Sequence, residues 1–432
     1  FYKKEMDWIK NATKDDLTSA ARRWLSDGLY HLEIRPHPEM QAAETKVDRS
    51  GIPEPGEPPL AKFDSFERTE LANGMKIIFA RRDTVPTISM QLSIDAGYAS
   101  DQFSRPGVAK LAMNMLDEGT THRNALEISD ELIMLGAGIS SGSNLDTSFV
   151  SLSTLSSTLD YSLELFADVV LNPSFPEKEL ERLRLQLLNS IQRERQSPRS
   201  MALRVLPQLL YGKEHAYGNP LTGSGTTESV TAITLDEIKN FQSTWFKANH
   251  STMVIVGDTT LKEILPKVER AFGKWGTGET PVKNIANVEN AEQPRIYLVD
   301  RPASEQSILF AALLATPKAN PDEIATEAMN DIIGGMSTSR INMNLREDKG
   351  WSYGAHSGLS GAKGQRLFYI FSSVQTDKTR ESIDEVMKEL TTFVTSSPAT
   401  GEELEKSVAS NTLSLSGRWE SSGAVMGSIS QI

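Results

Sequence analysis

Residues GVAKLAMNMLDEGT, positions 107–120, lead into a polar run that starts at Thr121. Val108 to Glu118 holds strong helix formers and no Pro or Gly, and predicts a helix read as Ala109 to Glu118. Side chains three and four apart share a helix face, so Lys110, Met113 and Asn114 line up. That face offers an ammonium, a thioether and a neutral amide. An ammonium has no lone pair at neutral pH, a thioether is no base for water, and an amide oxygen binds a divalent ion weakly. The spacing is that of a helix-borne site, but the side chains lack its chemistry.

Composition sets the frame. A chain of 432 residues predicts two or three domains and a large core. Its net charge of −12 argues against nucleic acid as a partner. There is no Cys, which excludes disulfides and thiolate metal sites. The six His include no pair at i, i+3 or i, i+4, so a metal site built elsewhere is not expected. No apolar run is long enough to span a membrane. The chain opens on Phe1-Tyr2 and reads as a piece of something longer.

Upstream of the helix, Phe1 to Leu25 reads as helix, with a second start at Asn11–Thr13 before Asp15-Asp16. Tyr30 to Ile34 alternates like a short strand before Pro36. Residues 1–37 thus read as the closing helix and strand of an upstream homologous domain. Residues 38–62, rich in Pro, Gly and charge, read as a linker. A first α+β domain is predicted over 63–276. Phe66 to Gly97 reads as a hairpin-like pair of strands, with a turn at Asn73-Gly74 and strands over Met75 to Phe79 and Ile88 to Ile94. Two strands are expected in Ile139 to Leu155, and another over Ser251 to Val256. Helices are expected over Ala125 to Leu135, Leu159 to Leu171, Glu177 to Gln196, Met201 to Leu210, Leu235 to Phe246 and Leu261 to Phe272.

A connector over 277–294 leads to a second α+β domain over 295–432. IYLVDRPASEQSILFAALLA, beginning at Ile296, can be laid on IIFARRDTVPTISMQLSIDAG, beginning at Ile77, at an offset of roughly 220 residues. Both read strand, charged bend, strand, and a helix follows each, here Pro321 to Ile333. The fold class expected is α+β: two homologous units of mostly antiparallel sheet with helices packed on it. Glu402 to Ile432 reads as an incomplete helix, so the second unit is expected to lack its closing elements.

Four ordered stretches carry a family resemblance. The first is Gly107 to Thr120. The second runs from His215-Ala216-Tyr217-Gly218-Asn219-Pro220 through Gly223 to the helix ending at Phe246. The third is Asn249 to Asp258. The fourth is Gly334-Gly335-Met336-Ser337-Thr338-Ser339-Arg340 through Leu345-Arg346-Glu347 to Tyr353. Together they resemble the pitrilysin/insulinase-type zinc peptidases, and the fold implied is the α/β roll of insulinase and the processing peptidases. Those enzymes place an inverted H-x-x-E-H motif where Lys110, Met113 and Asn114 stand, and a third ligand, a Glu, where Ser190 stands. The resemblance therefore implies a degenerate zinc helix and no metal in this chain.

In that family an Arg and a Tyr with the spacing of Arg346 and Tyr353 reach across a chamber toward substrate. The resemblance implies substrate-binding roles for both, while an ion-paired Arg346 and a half-buried Tyr353 are the plain structural alternative. The partners implied are a zinc-bearing homologous half or subunit and a peptide substrate. The function implied is that of a non-catalytic half of a zinc metalloendopeptidase, forming one bowl of the chamber. A purely architectural subunit, like the core proteins of respiratory complexes, is the alternative, and the retained Arg346 and Tyr353 count against it. Ser140 to Ser143 reads as an edge strand open to β-augmentation or simply edge protection. His215 and His122 read as structural and as surface residues. Gly334-Gly335 lacks the Lys-Ser/Thr of a phosphate loop. Resemblance to long fused bacterial members leaves the compartment open, export to the periplasm included.

Overall fold

The computed structural model describes residues 2–25, 28, 32–33, 63 and 65–430. They fall into two units, Phe1–Glu57 and Pro58–Ile432. In the first unit lie α1 (Tyr2–Asn11) and α2 (Lys14–Leu25). The break between them is chemical: Thr13 Oγ1 accepts from the Asp16 amide, and the Asp16 carboxylate accepts from the Thr13 amide at 2.9 Å. Within the strand read at Tyr30–Ile34, Leu32 and Glu33 are not in a strand, and the rest of that stretch and the linker read at 38–62 lie outside the described residues.

The second unit opens with β1 (Phe66–Glu70), β2 (Lys76–Arg81) and β3 (Thr87–Ile94). It continues through α3 (Val108–Asn114), α4 (Ala125–Leu135), β4 (Gly138–Ser143), β5 (Ser148–Leu155), α5 (Leu159–Leu171), α6 (Glu177–Gln196) and α7 (Pro198–Tyr211). Then come α8 (Thr227–Ala232), α9 (Leu235–Trp245), β6 (Ser251–Gly257) and α10 (Leu261–Phe272). The six strands form one sheet in the order β1-β2-β6-β3-β5-β4. β6 runs parallel to β2 and antiparallel to β3, and every other pair is antiparallel. The hairpin at Asn73-Gly74 therefore joins β1 to β2, while β2 and β3 are separated by β6. Its sequence STMVIVG is nearly unbroken in apolar character, as suits a strand walled on both faces.

Side chains alternate across this sheet. Ile77, Phe79, Met90, Leu92, Met253 and Ile255 face the helices and form the main core with Leu111, Met113, Phe166 and Phe272. Ala80, Val254 and Val256 face the other way and meet a smaller cluster described below. α3 is shorter than its sequence predicts. It ends at Asn114, where Met115 turns its amide back on Leu111 and Ala112. Met115 and Leu116 are both buried beyond that point, so the chain breaks the helix to place two apolar side chains in the core.

The second half holds β7 (Gln306–Ala315), α11 (Glu323–Asn330), α12 (Arg340–Asn342), β8 (Ser352–Leu359) and β9 (Arg366–Gln375). It ends with α13 (Thr379–Val394), α14 (Gly401–Arg418) and α15 (Ser422–Ile429). The sheet order β7-β9-β8 repeats β3-β5-β4, all antiparallel. The fold is thus α+β with an internally repeated layout. One expectation needs correction. Ile296–Val299, read as the strand before the charged bend, is not in a strand and is exposed. In the first sheet the matching β2 is held by β6, and among the described residues nothing occupies the corresponding place beside β7.

The halves are stitched by buried polar bonds. Tyr217, fully buried, donates its hydroxyl to Asp146 Oδ1 at 2.7 Å and accepts the Gly364 amide at 3.0 Å. Asp146 Oδ2 accepts the Lys363 amide at 2.8 Å. A Cβ on Gly364 would lie 3.2 Å from the Tyr217 ring, so the loop needs glycine to come this close. Beside them, Lys283 and Lys363 both pair with Asp95, at 2.6 and 2.8 Å. The last helix adds an apolar tie: Val425 and Ile429 of α15 pack on Ala80, Val254 and Val256, roofing the outer face of the first sheet. Replacing Tyr217 with Phe removes one hydroxyl and strands a buried amide and a carboxylate oxygen. It is expected to cost about 1–3 kcal/mol of stability, read from urea unfolding midpoints.

Candidate functional site

The site positions are set by α3 and α6, which pack on each other. α3 begins on Gly107, whose φ of 103° is left-handed and whose Cα sits where a Cβ would press on Val230 at 3.0 Å. A buried carboxylate holds the start: Asp101 accepts the amides of Gly107 at 2.7 Å and Ala109 at 2.8 Å. Sequence reading missed Asp101. Its signal, an acid six positions before a helix-starting Gly, is obscured by the 3-10 turn Tyr98–Phe103 that brings it round.

The four degenerate positions sit in unlike surroundings. Lys110 is half-buried and donates through Nζ to the Thr222 carbonyl at 3.1 Å. Met113 is wholly buried in the core, and Ser141 of β4 donates to its carbonyl at 2.7 Å. Asn114 is exposed. Ser190 is half-buried on α6. One turn beyond it, Glu194 collects Ser224 at 2.7 Å, Thr222 at 3.1 Å and Arg204 at 2.5 Å. The Thr222–Ser224 segment is therefore gripped from α3 by Lys110 and from α6 by Glu194.

These groups do not fit the zinc that the fold family carries. The first-ligand position holds an ammonium committed to a carbonyl, the base position an apolar side chain inside the core, and the third-ligand position a hydroxyl. Glu194, one turn further along α6, commits its Oε2 to Arg204 and two hydroxyls. Among the described residues, no group of three His, Cys, Asp or Glu is placed to hold a metal ion.

Arg346 and Tyr353 are brought together. Arg346 lies on the π turn Met343–Asp348 that continues α12, and Tyr353 stands near the start of β8. The Arg346 guanidinium sits 5.3 Å from the centre of the Tyr353 ring, within cation–π range. It also pairs with Glu347 at 3.2 Å. Both side chains remain open to solvent, Tyr353 at 87% exposure, which is unlike a half-buried strand residue. Beside them Lys349 lies over Trp351 at 5.5 Å. Below this surface Arg340 grips Glu403 through two bonds of 2.7 Å and fixes α12 to α14.

The histidines have local roles. Tyr217 donates its amide to His215 Nδ1 at 3.0 Å, so Nε2 carries the proton toward the Ala286 carbonyl at 3.1 Å. Burial lowers the pKa of His215 and matches this neutral tautomer. His122 is exposed and lies 2.8 Å from Asp168. Ser140 to Ser143 belongs to β4, which is the terminal strand of the six-stranded order.

A repeated α+β layout, six strands in one half and three in the other among the described residues, defines the class of fold. Comparison with known proteins agrees. Residues 76–225 match the pattern of insulinase (peptidase family M16), and residues 232–411 match that of the peptidase M16 inactive domain. An uncharacterized zinc protease of Rickettsia felis is 23% identical over 337 residues, 77% of this chain and 78% of that protein. A probable mitochondrial-processing peptidase subunit beta of Arabidopsis thaliana is 23% identical, over 62% of this chain and 50% of its own. The crystal structure of a peptidase M16 inactive domain from Pseudomonas fluorescens superposes with a TM-score of 0.77 at 26% identity, covering 84% of this chain and 86% of that one. The chain belongs to the M16 insulinase family of peptidases, in the form that lacks the zinc motif.

The anchor of α3 has a pH signature. Burial pushes Asp101 up to about 7, against the two amide bonds that favour its charge. An acid raised on folding contributes most below its unfolded value of about 4, and that contribution is lost as pH climbs to the folded value. Asp101→Asn cannot ionise. The stability of the native chain minus that of the variant should therefore fall between about pH 4 and 7 and level off above, measured by urea midpoints across pH.

Proposed function

We propose that this chain is the non-catalytic half of a zinc metalloendopeptidase. It forms one wall of a peptide-holding chamber whose zinc sits on a homologous half or subunit. The observation that carries this reading is a contrast within one molecule. The positions that would handle metal and water are apolar, cationic or tethered, whereas Arg346 and Tyr353 are adjacent, preoriented by a cation–π contact and open to solvent. A side chain kept in the core's service needs no such exposure.

The chemistry assigned to this pair is recognition and charge stabilisation. A guanidinium offers planar donors to a peptide carbonyl or a carboxylate. A phenol donates to an oxygen that gains charge as a peptide bond is attacked. Their contribution is positioning, with the reactive water handled elsewhere. The zinc-protease relative and the peptidase-subunit relative support a role in peptide cleavage by paired halves. The place of β4 at the end of the sheet order, among the described residues, supports a site where an extended peptide adds as a strand.

The test pairs the chain with its zinc-bearing half. Alone, it is expected to hold no stoichiometric zinc by elemental analysis and to cleave no fluorogenic peptide. In the assembled enzyme, Arg346→Ala should lower kcat/KM by about 100-fold without disturbing assembly, in the range seen when a preorganised donor is removed. Full activity of that variant would remove the substrate role and leave an architectural one.

A further inference from the structure

The sheet β7-β9-β8 has two unlike faces. Ile370 of β9 and Ala355 of β8 cluster with Val386 of α13 on one of them. Side chains alternate along a strand, so Tyr369 and Phe371 point the other way. Residues opposite each other in the ladder share a face, which adds Phe310 and His356, both paired with Phe371. The Phe310 ring lies 5.4 Å from that of Tyr369 and 6.1 Å from that of Phe371. The three rings are half-buried and His356 is exposed. Gly358 lets Tyr369 lie across β8, since a Cβ there would sit 2.8 Å from the ring.

Tyr353 joins this second face through a break in register. Ser352 lies opposite Val374 and Ala355 opposite Ser372, so Tyr353 and Gly354 together face Ser373. That is a β-bulge, a device that re-aims a side chain. Ser352 bonds Ser372 on the helix face at 2.9 Å, and Ala355 is buried on that same face, so the extra residue turns Tyr353 outward with His356. Two guanidiniums stand over the strip. Arg346 covers Tyr353, and Arg199 of α7 lies 4.8 Å from the centre of the Phe371 ring. Arg199 is exposed, and among the described residues no carboxylate pairs with it. Strands β7, β8 and β9 contain no Asp or Glu. In a chain of net charge −12, an acid-free aromatic face under two cations is a local reversal of sign.

We infer that this face extends the Arg346–Tyr353 pair into a longer subsite, in which Arg199 selects peptides that carry a carboxylate. The inference rests on the reading of that pair as substrate groups. The occupant is an extended peptide. Its backbone is held at Arg346 and Tyr353, an apolar side chain lies on Phe371 and Phe310, and a Glu, an Asp or a terminal carboxylate meets Arg199. Phe371 stands opposite His356, three positions beyond Tyr353, so the two guanidiniums are about 10 Å apart, roughly three residues of extended peptide. A guanidinium stacked on an aromatic face keeps its in-plane donors for a carboxylate. His356 lies between the two and offers the peptide backbone a donor or an acceptor.

The experiment measures, by fluorescence anisotropy, the binding of labelled synthetic peptides to the 432-residue chain. Each peptide carries one Phe and one Glu at a varied separation, and each has twins with Gln or Lys in place of Glu. At the best separation the Glu peptide should bind about tenfold more tightly than its Gln twin. Arg199→Gln should abolish that difference, and Arg199→Glu should move the preference to the Lys twin. Arg199 is exposed, so both variants should keep the fold, and a mere packing role could not invert a charge preference. Arg346→Ala should instead weaken every peptide alike. Equal affinity for the twins, binding of neither, or a Glu preference that survives Arg199→Gln would each overturn the inference. Binding that responds to Arg346→Ala but not to Arg199→Gln would sink the longer subsite and leave the reading of Arg346 standing, whereas indifference to both variants would remove both.

Discussion

A sheet whose middle strand comes late in the sequence cannot bury its neighbours until that strand arrives. This is the constraint on which the fold turns. β2 and β3 are adjacent along the chain, but they share no bond, because β6 stands between them. The apolar faces of Ile77, Phe79, Met90 and Leu92 reach the core only when Met253 and Ile255 have joined them. The long-range pairing is slow to nucleate and strongly cooperative once made. The three-stranded half buries a smaller cluster around Ile333, Ile341, Leu345 and Ile370, while Ile296, Leu298 and Leu313 stay exposed.

Around that frame Lys110, Met113 and Glu194 serve packing and tethering. In a ligand-bearing helix the polar face must stay open to water and substrate. Here Met113 joins the core, and Lys110 becomes a strut to the Thr222 carbonyl. Glu194, Arg204, Ser224 and Thr222 close a polar network on the α6 side. The result is a closed polar network beside α3, while Arg346 and Tyr353 lie exposed on the second half.

Much of this was legible in the residues. The Asn124 cap and Gly136 stop mark α4 because each satisfies helix-end groups locally. The apolar run of β6 marks a buried strand for the same local reason. The side-chain types at Lys110, Met113, Asn114 and Ser190 are plain in the sequence, and the structure adds their surroundings, a carbonyl for Lys110 and the core for Met113. Features set by distant partners were not legible. The early end of α3 depends on where Met115 and Leu116 can be buried. Asp101 reaches Gly107 only because a 3-10 turn folds it back. IYLV at 296–299 has every local mark of a strand, yet a strand is defined by a neighbour, and local pattern carries no information about whether one is present.

The return of α15 has a mechanical consequence. A helix at the far end of the second half seals the outer face of the first half's sheet, and Tyr217 locks the loop at Gly364 from the other side. Two such clasps, one oily and one polar, hold the two halves of the repeat against each other. The burial of the first sheet is thus completed from the far end of the chain, and cutting before Ser422 would bare Ala80, Val254 and Val256 to water.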